Sequence, residues 1–116
     1  MVCRRAYLLE RDAYLRLRQH NVERVHNLIV PRLRQYDDTT LVLEMTVVSP
    51  PCLVDFGGAY LDTVPDHAST AAAGTHWDEL KEEFGSDWGA VNRVLAELTR
   101  YGIHLLDVNP RNVRLR

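Results

Sequence analysis

The chain has 116 residues, 46% of them hydrophobic and 26% charged, with a formal net charge of −2. That length suits one domain with one modest core, and that composition excludes a disordered chain. There is no basic excess of the kind a nucleic-acid surface needs, and no run approaches the ~20 apolar residues of a membrane span.

The first element is "RRAYLLERDAYLRLRQH". Ala6, Leu9, Ala13, Tyr14 and Leu17 recur at helical spacing with Arg and Glu between them. This predicts an amphipathic helix from about residue 4 to about residue 20. Arg4, Arg5, Arg11, Arg16 and Arg18 are dense here, as Arg111, Arg114 and Arg116 are at the other end. Such density suits a solvated helix face and a solvated tail. The opening "MVCRRAYLLERDAYL" has acids and no long apolar stretch, so no signal peptide is expected. Cys3 and Cys52 form no CxxC pair, so no zinc site is expected, and two reduced thiols fit a cytoplasmic location.

"NVERVHNLIVP" reads equally as a helical turn or a short strand, and Pro31 biases Val30 toward extended geometry. "RLRQYDDTTLVLEMTVV" predicts a hairpin near residues 32 to 48. Its first arm is Leu33 to Tyr36, and Asp37 and Asp38 are turn residues. "TTLVLEMTVV" is rich in β-branched residues and mostly apolar, so it is expected to be a well-buried strand. "SPP" ends it, because proline cannot donate to a ladder.

"CLVDFGGAYLD" predicts a short strand and a turn, with Asp55 beside Gly57 and Gly58 as the turn. "TVPDHASTAAAGT" reads as a loop. "THWDELKEEFG" is a helix with Thr75 as N-cap and Gly85 as its stop. "SDWGAVNRVLAELTRYG" is a second helix, capped by Ser86, with Trp88, Val91, Val94, Leu95 and Leu98 on one stripe and Gly102 at its end. Trp77, Phe84 and Trp88 fall at helical spacing as core residues, and "NVRL" reads as a short strand. His20, His26, His67, His76 and His104 have no HxxxH or HExxH spacing, so no histidine metal site is expected. A helix, a hairpin, a break and then helices make an α+β chain.

The closing "DVNPRN" places Asp107 and Asn112 five residues apart after an apolar helix. Read by themselves, the two side chains suit an Asx-type turn. The stretch also resembles the catalytic loop of the protein-kinase-like superfamily, D-x-x-x-x-N. The resemblance extends upstream. "TLVLEM" resembles the last strand of the kinase small lobe running into the hinge, with Leu43 as gatekeeper. "ERDAYLRL" resembles the small-lobe helix.

What the resemblance implies follows residue by residue. Asp107 would orient the attacking hydroxyl, and Asn112 would bind Mg²⁺. The backbone of Glu44, Met45 and Thr46 would meet adenine, and Glu10 would be the helix glutamate that pairs with a strand lysine. The implied cofactors are ATP and Mg²⁺. The implied organisation is one kinase-like domain, with residues 1–48 a partial small lobe and 49–116 a partial large lobe. "MTVVSPPCLVDFGGAYLD" and "YGIHLLDVNPRN" are also similar to short bacterial proteins whose resemblance names no activity.

The sequence departs from the kinase pattern at several points. Leu105 and Leu106 stand where His and Arg usually precede the aspartate, and Asn109 stands in place of a lysine. No glycine-rich loop or strand lysine precedes the helix, and no metal-binding aspartate follows Asn112. The one Asp-Phe-Gly, at 55–57, comes before the catalytic loop and reads as a chance match. The expectation is a minimal kinase-like protein that is not an autonomous phosphotransferase. The alternative is a non-catalytic interaction module. An exposed hairpin edge would be covered by a second copy or by a complementing chain.

Overall fold

In a computed structural model, residues 4–56, 59–62, 71–105 and 108–116 are described, with the backbone alone for 71–77. The first helix, α1 (Arg4–Gln19), buries Tyr7, Ala13, Tyr14 and Leu17 along one stripe. It ends because Asn21 turns left-handed at φ 54°. The Val22 N–H then reaches the Leu17 carbonyl at 2.9 Å and the Asn21 N–H reaches the Arg18 carbonyl at 3.0 Å. This pair of bonds is a Schellman motif, with asparagine where glycine is usual.

The ambiguous stretch after α1 is a tight hairpin, β1 (Arg24–Val25) with β2 (Leu28–Ile29), turned through a left-handed His26 at φ 53°. Next come β3 (Leu33–Asp37) and β4 (Val42–Met45), paired antiparallel with Tyr36 opposite Leu43. The hairpin stands where the sequence predicts it, but β4 is not well buried. Val42 is 53% exposed and Val47 98% exposed. The two strands form a sheet of their own, so only the Leu43 and Met45 face packs on the core. The apolar content of "TTLVLEMTVV" meets no second layer on its other face.

The short strand β5 (Cys52–Leu53) runs parallel to β2 and antiparallel to β8 (Val113–Arg114), which gives a sheet in the order β1-β2-β5-β8. A third sheet pairs β6 (Ala59–Leu61) with β7 (Ile103–Leu105). α2 (Ala71–Phe84) begins before Thr75, so Thr75 lies inside the helix and is not its N-cap. The alanine run at 71–73 belongs to the helix, in keeping with alanine's helix propensity.

Gly85, at φ 57°, ends α2 as expected. Ser86 then falls within a 3-10 turn, Gly85–Asp87, and does not cap α3 (Trp88–Arg100). Asp87 holds the cap position without a capping bond. Its carboxylate instead accepts two hydrogen bonds from Arg116, at 2.9 and 3.1 Å. α3 buries Val91, Val94, Leu95 and Leu98 as the stripe predicts. Trp88 is half-buried against Phe84, and the Trp77 side chain lies outside the described residues.

The architecture is α+β: helices against small sheets around one cluster that includes Tyr14, Leu33, Leu53, Phe56, Leu98 and Val113. No helix among the described residues is long and apolar enough to cross a membrane. Cys52 is buried as a free thiol.

One knot ties α1 to the β6–β7 sheet. The Arg16 guanidinium donates to both Asp62 carboxylate oxygens, at 2.7 and 3.1 Å, and to the Tyr101 carbonyl at 3.3 Å. Asp62 in turn donates its N–H to the Gly102 carbonyl at 2.8 Å. Gly102 sits at φ 74°, and a Cβ there would stand 2.6 Å from Asp62 Oδ1 and 2.7 Å from Arg16 Nη1. Gly102→Ala therefore adds left-handed strain and displaces the ion pair. Its unfolding midpoint in urea is expected to fall, with a loss of about 1–3 kcal/mol. An unchanged midpoint would show that the knot yields freely.

Candidate functional site

The residues with the most concentrated chemistry meet at Asp55, which follows β5. β5 pairs antiparallel with β8, and the pairing continues one step further, with the Val54 N–H donating to the Asn112 carbonyl at 2.9 Å. Asp55 is thus one residue from the end of the 108–112 loop. It is left-handed, at φ 65°. Its N–H donates to the Tyr14 hydroxyl at 3.3 Å.

Phe56, 1% exposed, meets the Tyr14 ring edge-on, with centroids 5.0 Å apart and planes at 82°. The Ala59 N–H donates to the Phe56 carbonyl at 3.0 Å; of the turn expected around Asp55, Gly57 and Gly58 lie outside the described residues. The sequence did not indicate that this turn faces α1 on one side and the Asn112 loop on the other.

Glu10 stands one helical turn before Tyr14. Burial first, and then the negative charge of Asp55, push its carboxyl up to about 7. Tyr14 is raised well above the usual phenol value by burial first, then by the charge of Glu10. Glu10 is half-buried and Asp55 exposed, and two neighbouring acids favour a proton or a cation. The only lysine in the sequence is Lys81, on α2. Among the described residues no group of three or more His, Cys, Asp and Glu side chains gathers to hold a metal by itself.

The loop before β8 is closed by its own side chains. Asn112, 3% exposed, accepts at Oδ1 from the Asn109 N–H at 3.0 Å, and its own N–H donates to the Asn109 carbonyl at 3.1 Å. Asn109 Oδ1 accepts from the Arg111 N–H at 2.8 Å. These are the Asx-type bonds the residue types suggest. Asp107 lies outside the described residues.

The residues of the expected hinge belong to the β3–β4 hairpin and the segment after it. Glu44 and Met45 are ladder residues of β4, opposite Gln35 and Leu33. The Thr46 N–H donates to the Arg32 carbonyl at 3.0 Å, and its hydroxyl accepts from the Arg32 N–H at 2.9 Å. Glu44 lines a cavity with Gln35, Tyr36, Asp37 and Val42, whereas Pro110 lines one with Phe84, Asp87 and the β8 end. No family model, curated protein or solved structure matches this chain.

The Glu10 carboxyl, raised when folded, holds its proton more tightly in the folded chain than in the unfolded one. Its contribution to stability is full below the ordinary glutamate range, near 4.5, and is lost as pH rises through about 7. Glu10→Gln removes that loss. The variant is expected to match the wild type in acid and to be the more stable above about pH 7 in thermal melts. Parallel pH profiles for the two proteins would exclude a raised Glu10.

Proposed function

We propose that this chain is a small kinase-like module whose Asp55, Asn112 and Asp107 take the Mg²⁺-bearing phosphates of ATP, without self-sufficient phosphotransfer. The observation that carries this reading is the meeting of Glu10, Asp55 and the Asn112 loop. The Glu10 and Asp55 carboxylates feel one another's charge, and the residue before Asp55 is bonded backbone to backbone with Asn112, though Asp55 and Asn112 lie far apart in sequence. In protein kinases the metal ions are held by an aspartate and by the catalytic-loop asparagine. Here the carboxylate is supplied from upstream in the chain.

The donor set suits Mg²⁺, which keeps water and phosphate oxygens and takes one or two carboxylates from protein. When bound, the ion would neutralise phosphate charge. Asp55 would hold it by its carboxylate and Asn112 by Oδ1, and Tyr14 keeps the Asp55 turn in place through the Asp55 N–H. Asp107 would orient a hydroxyl. Glu10 has burial and Asp55 as the causes of its shift, with no cation among them, so the grip a lysine gives to phosphate is not made there. Each missing electrostatic element costs roughly 10²–10³ in rate, by analogy with oxyanion-hole donors. For that reason the reading is of a binding module before an enzyme.

A second reading, a non-catalytic interaction module, is favoured by the exposed hairpin. β4 has one partner, β3, and carries exposed Val42 beside it. A second copy or a complementing chain would add to that edge.

Calorimetric titration with ATP, with and without Mg²⁺, separates the two. The expected result is weak binding that requires Mg²⁺ and is reduced at least tenfold in Asp55→Asn, about 1.4 kcal/mol, with no measurable phosphotransfer. Absence of binding at millimolar nucleotide would leave the interaction reading. Robust transfer lost in Asp107→Ala would promote the chain to an enzyme.

A further inference from the structure

Away from the Asp55 site, a cavity of about 240 Å³ lies between the β1–β2 turn, α3 and the segment after β8. Its apolar walls include Leu28 and Val94, both buried, and Leu115, half-buried. Its polar members are His26, Asn27 and Arg93, all exposed. An apolar wall with a few convergent polar groups is the usual make-up of a small-molecule site.

Two features distinguish this cavity from an ordinary surface hollow. The first is His26, a non-glycine residue held at φ 53°. Left-handed residues of this kind persist where their surroundings hold them. Here the His26 N–H donates to Glu97 Oε2 at 3.0 Å, and its ring Nε2 lies 3.1 Å from the Arg93 carbonyl. Since a carbonyl only accepts, Nε2 carries the proton in that bond. The turn is thereby pinned to α3 at two points, and the cavity mouth is a fixed shape.

The second feature is the Arg93 guanidinium. Glu97, the carboxylate one helical turn on, is taken by His26, through its N–H and at 3.6 Å from its ring. Among the described residues Arg93 makes no ion pair. Arg11, Arg16, Arg32 and Arg116, by contrast, are engaged by Asp38, Asp62, Glu23 and Asp87. A single planar fork beside an apolar wall matches a carboxylate, which it can bind through two parallel hydrogen bonds.

We propose that this cavity binds a small monocarboxylate with an apolar body, the carboxylate on Arg93 and the body on Leu28, Val94 and Leu115. Asn27 supplies an amide at the mouth, and His26 fixes the turn that carries it. The site is independent of the nucleotide reading.

The test is a titration of the ¹⁵N-labelled chain with hydrocinnamate, followed by amide shifts. Its neutral amide and a short peptide ending in a free phenylalanine carboxylate are run in parallel. Hydrocinnamate is expected to shift the amides of Asn27, Arg93 and Leu115 to saturation, and Arg93→Gln to weaken it roughly tenfold. Arg93 is exposed, so the variant keeps the fold, which the rest of its spectrum checks. Equal binding of acid and amide, or no saturable shift at those residues, would overturn the proposal. Tighter binding of the peptide would overturn the small-molecule assignment.

Discussion

Tyr14 carries a constraint on which much of the structure rests. Its side chain is 1% exposed, yet its hydroxyl must find a partner. The partner is the Asp55 N–H, which satisfies the phenol and at the same time stabilises a left-handed residue that would otherwise be strained. The ring then fixes Phe56 by edge-to-face contact. One helical residue thus decides where a loop between two strands can stand. The position of Asp55 against Glu10, and the proximity of both to the Asn112 loop, follow from that packing.

Arg11, Arg16 and Arg18 of α1 act as ties between elements, while Arg4 and Arg5 lie exposed. Arg11 lies 2.9 Å from Asp38, which also accepts a 2.7 Å hydrogen bond from buried Tyr7. Arg16 grips Asp62, and Arg18 donates to the Leu33 carbonyl at 3.1 Å. The hydrogen bond from Tyr7, then that from Arg11, hold the Asp38 carboxyl below the usual range. α1 is therefore joined to the β3–β4 hairpin through Tyr7, Arg11 and Arg18 and to the end of β6 through Arg16. Exposed pairs of this kind contribute little each, so their effect is mainly on geometry.

Legibility in the sequence tracks the length of each element. α1 and α3 were readable because their apolar stripes run for several turns and because Gly102 marks an end. The β3–β4 hairpin was readable from Asp37, Asp38 and the β-branched run. Its burial was not, since apolar content says nothing about whether a second layer covers the strand. Thr75 and Ser86 were misplaced as caps because local residue type outweighed the alanine run and the 3-10 turn. β1, β2, β5 and β7 have only two or three residues each, too few for periodicity to register. Glu10 and Asn112 were singled out through resemblance alone. Asp55 was read as a plain turn, and only the β5–β8 pairing reveals its company. An apolar "CLV" ending in an aspartate, then a phenylalanine, was the available signal.

That same pairing has a kinetic consequence. Leu53 meets Val113 across about sixty intervening residues, and closing so long a chain has an entropic cost that local contacts cannot offset in advance. α1 and the β3–β4 hairpin can form early from near neighbours. The strand beside Asp55 acquires its last neighbour only when residues 113–114 arrive. Pairing across such sequence distances slows folding. The Asp55 region is therefore assembled late, after the hydrophobic cluster that supports it has begun to close.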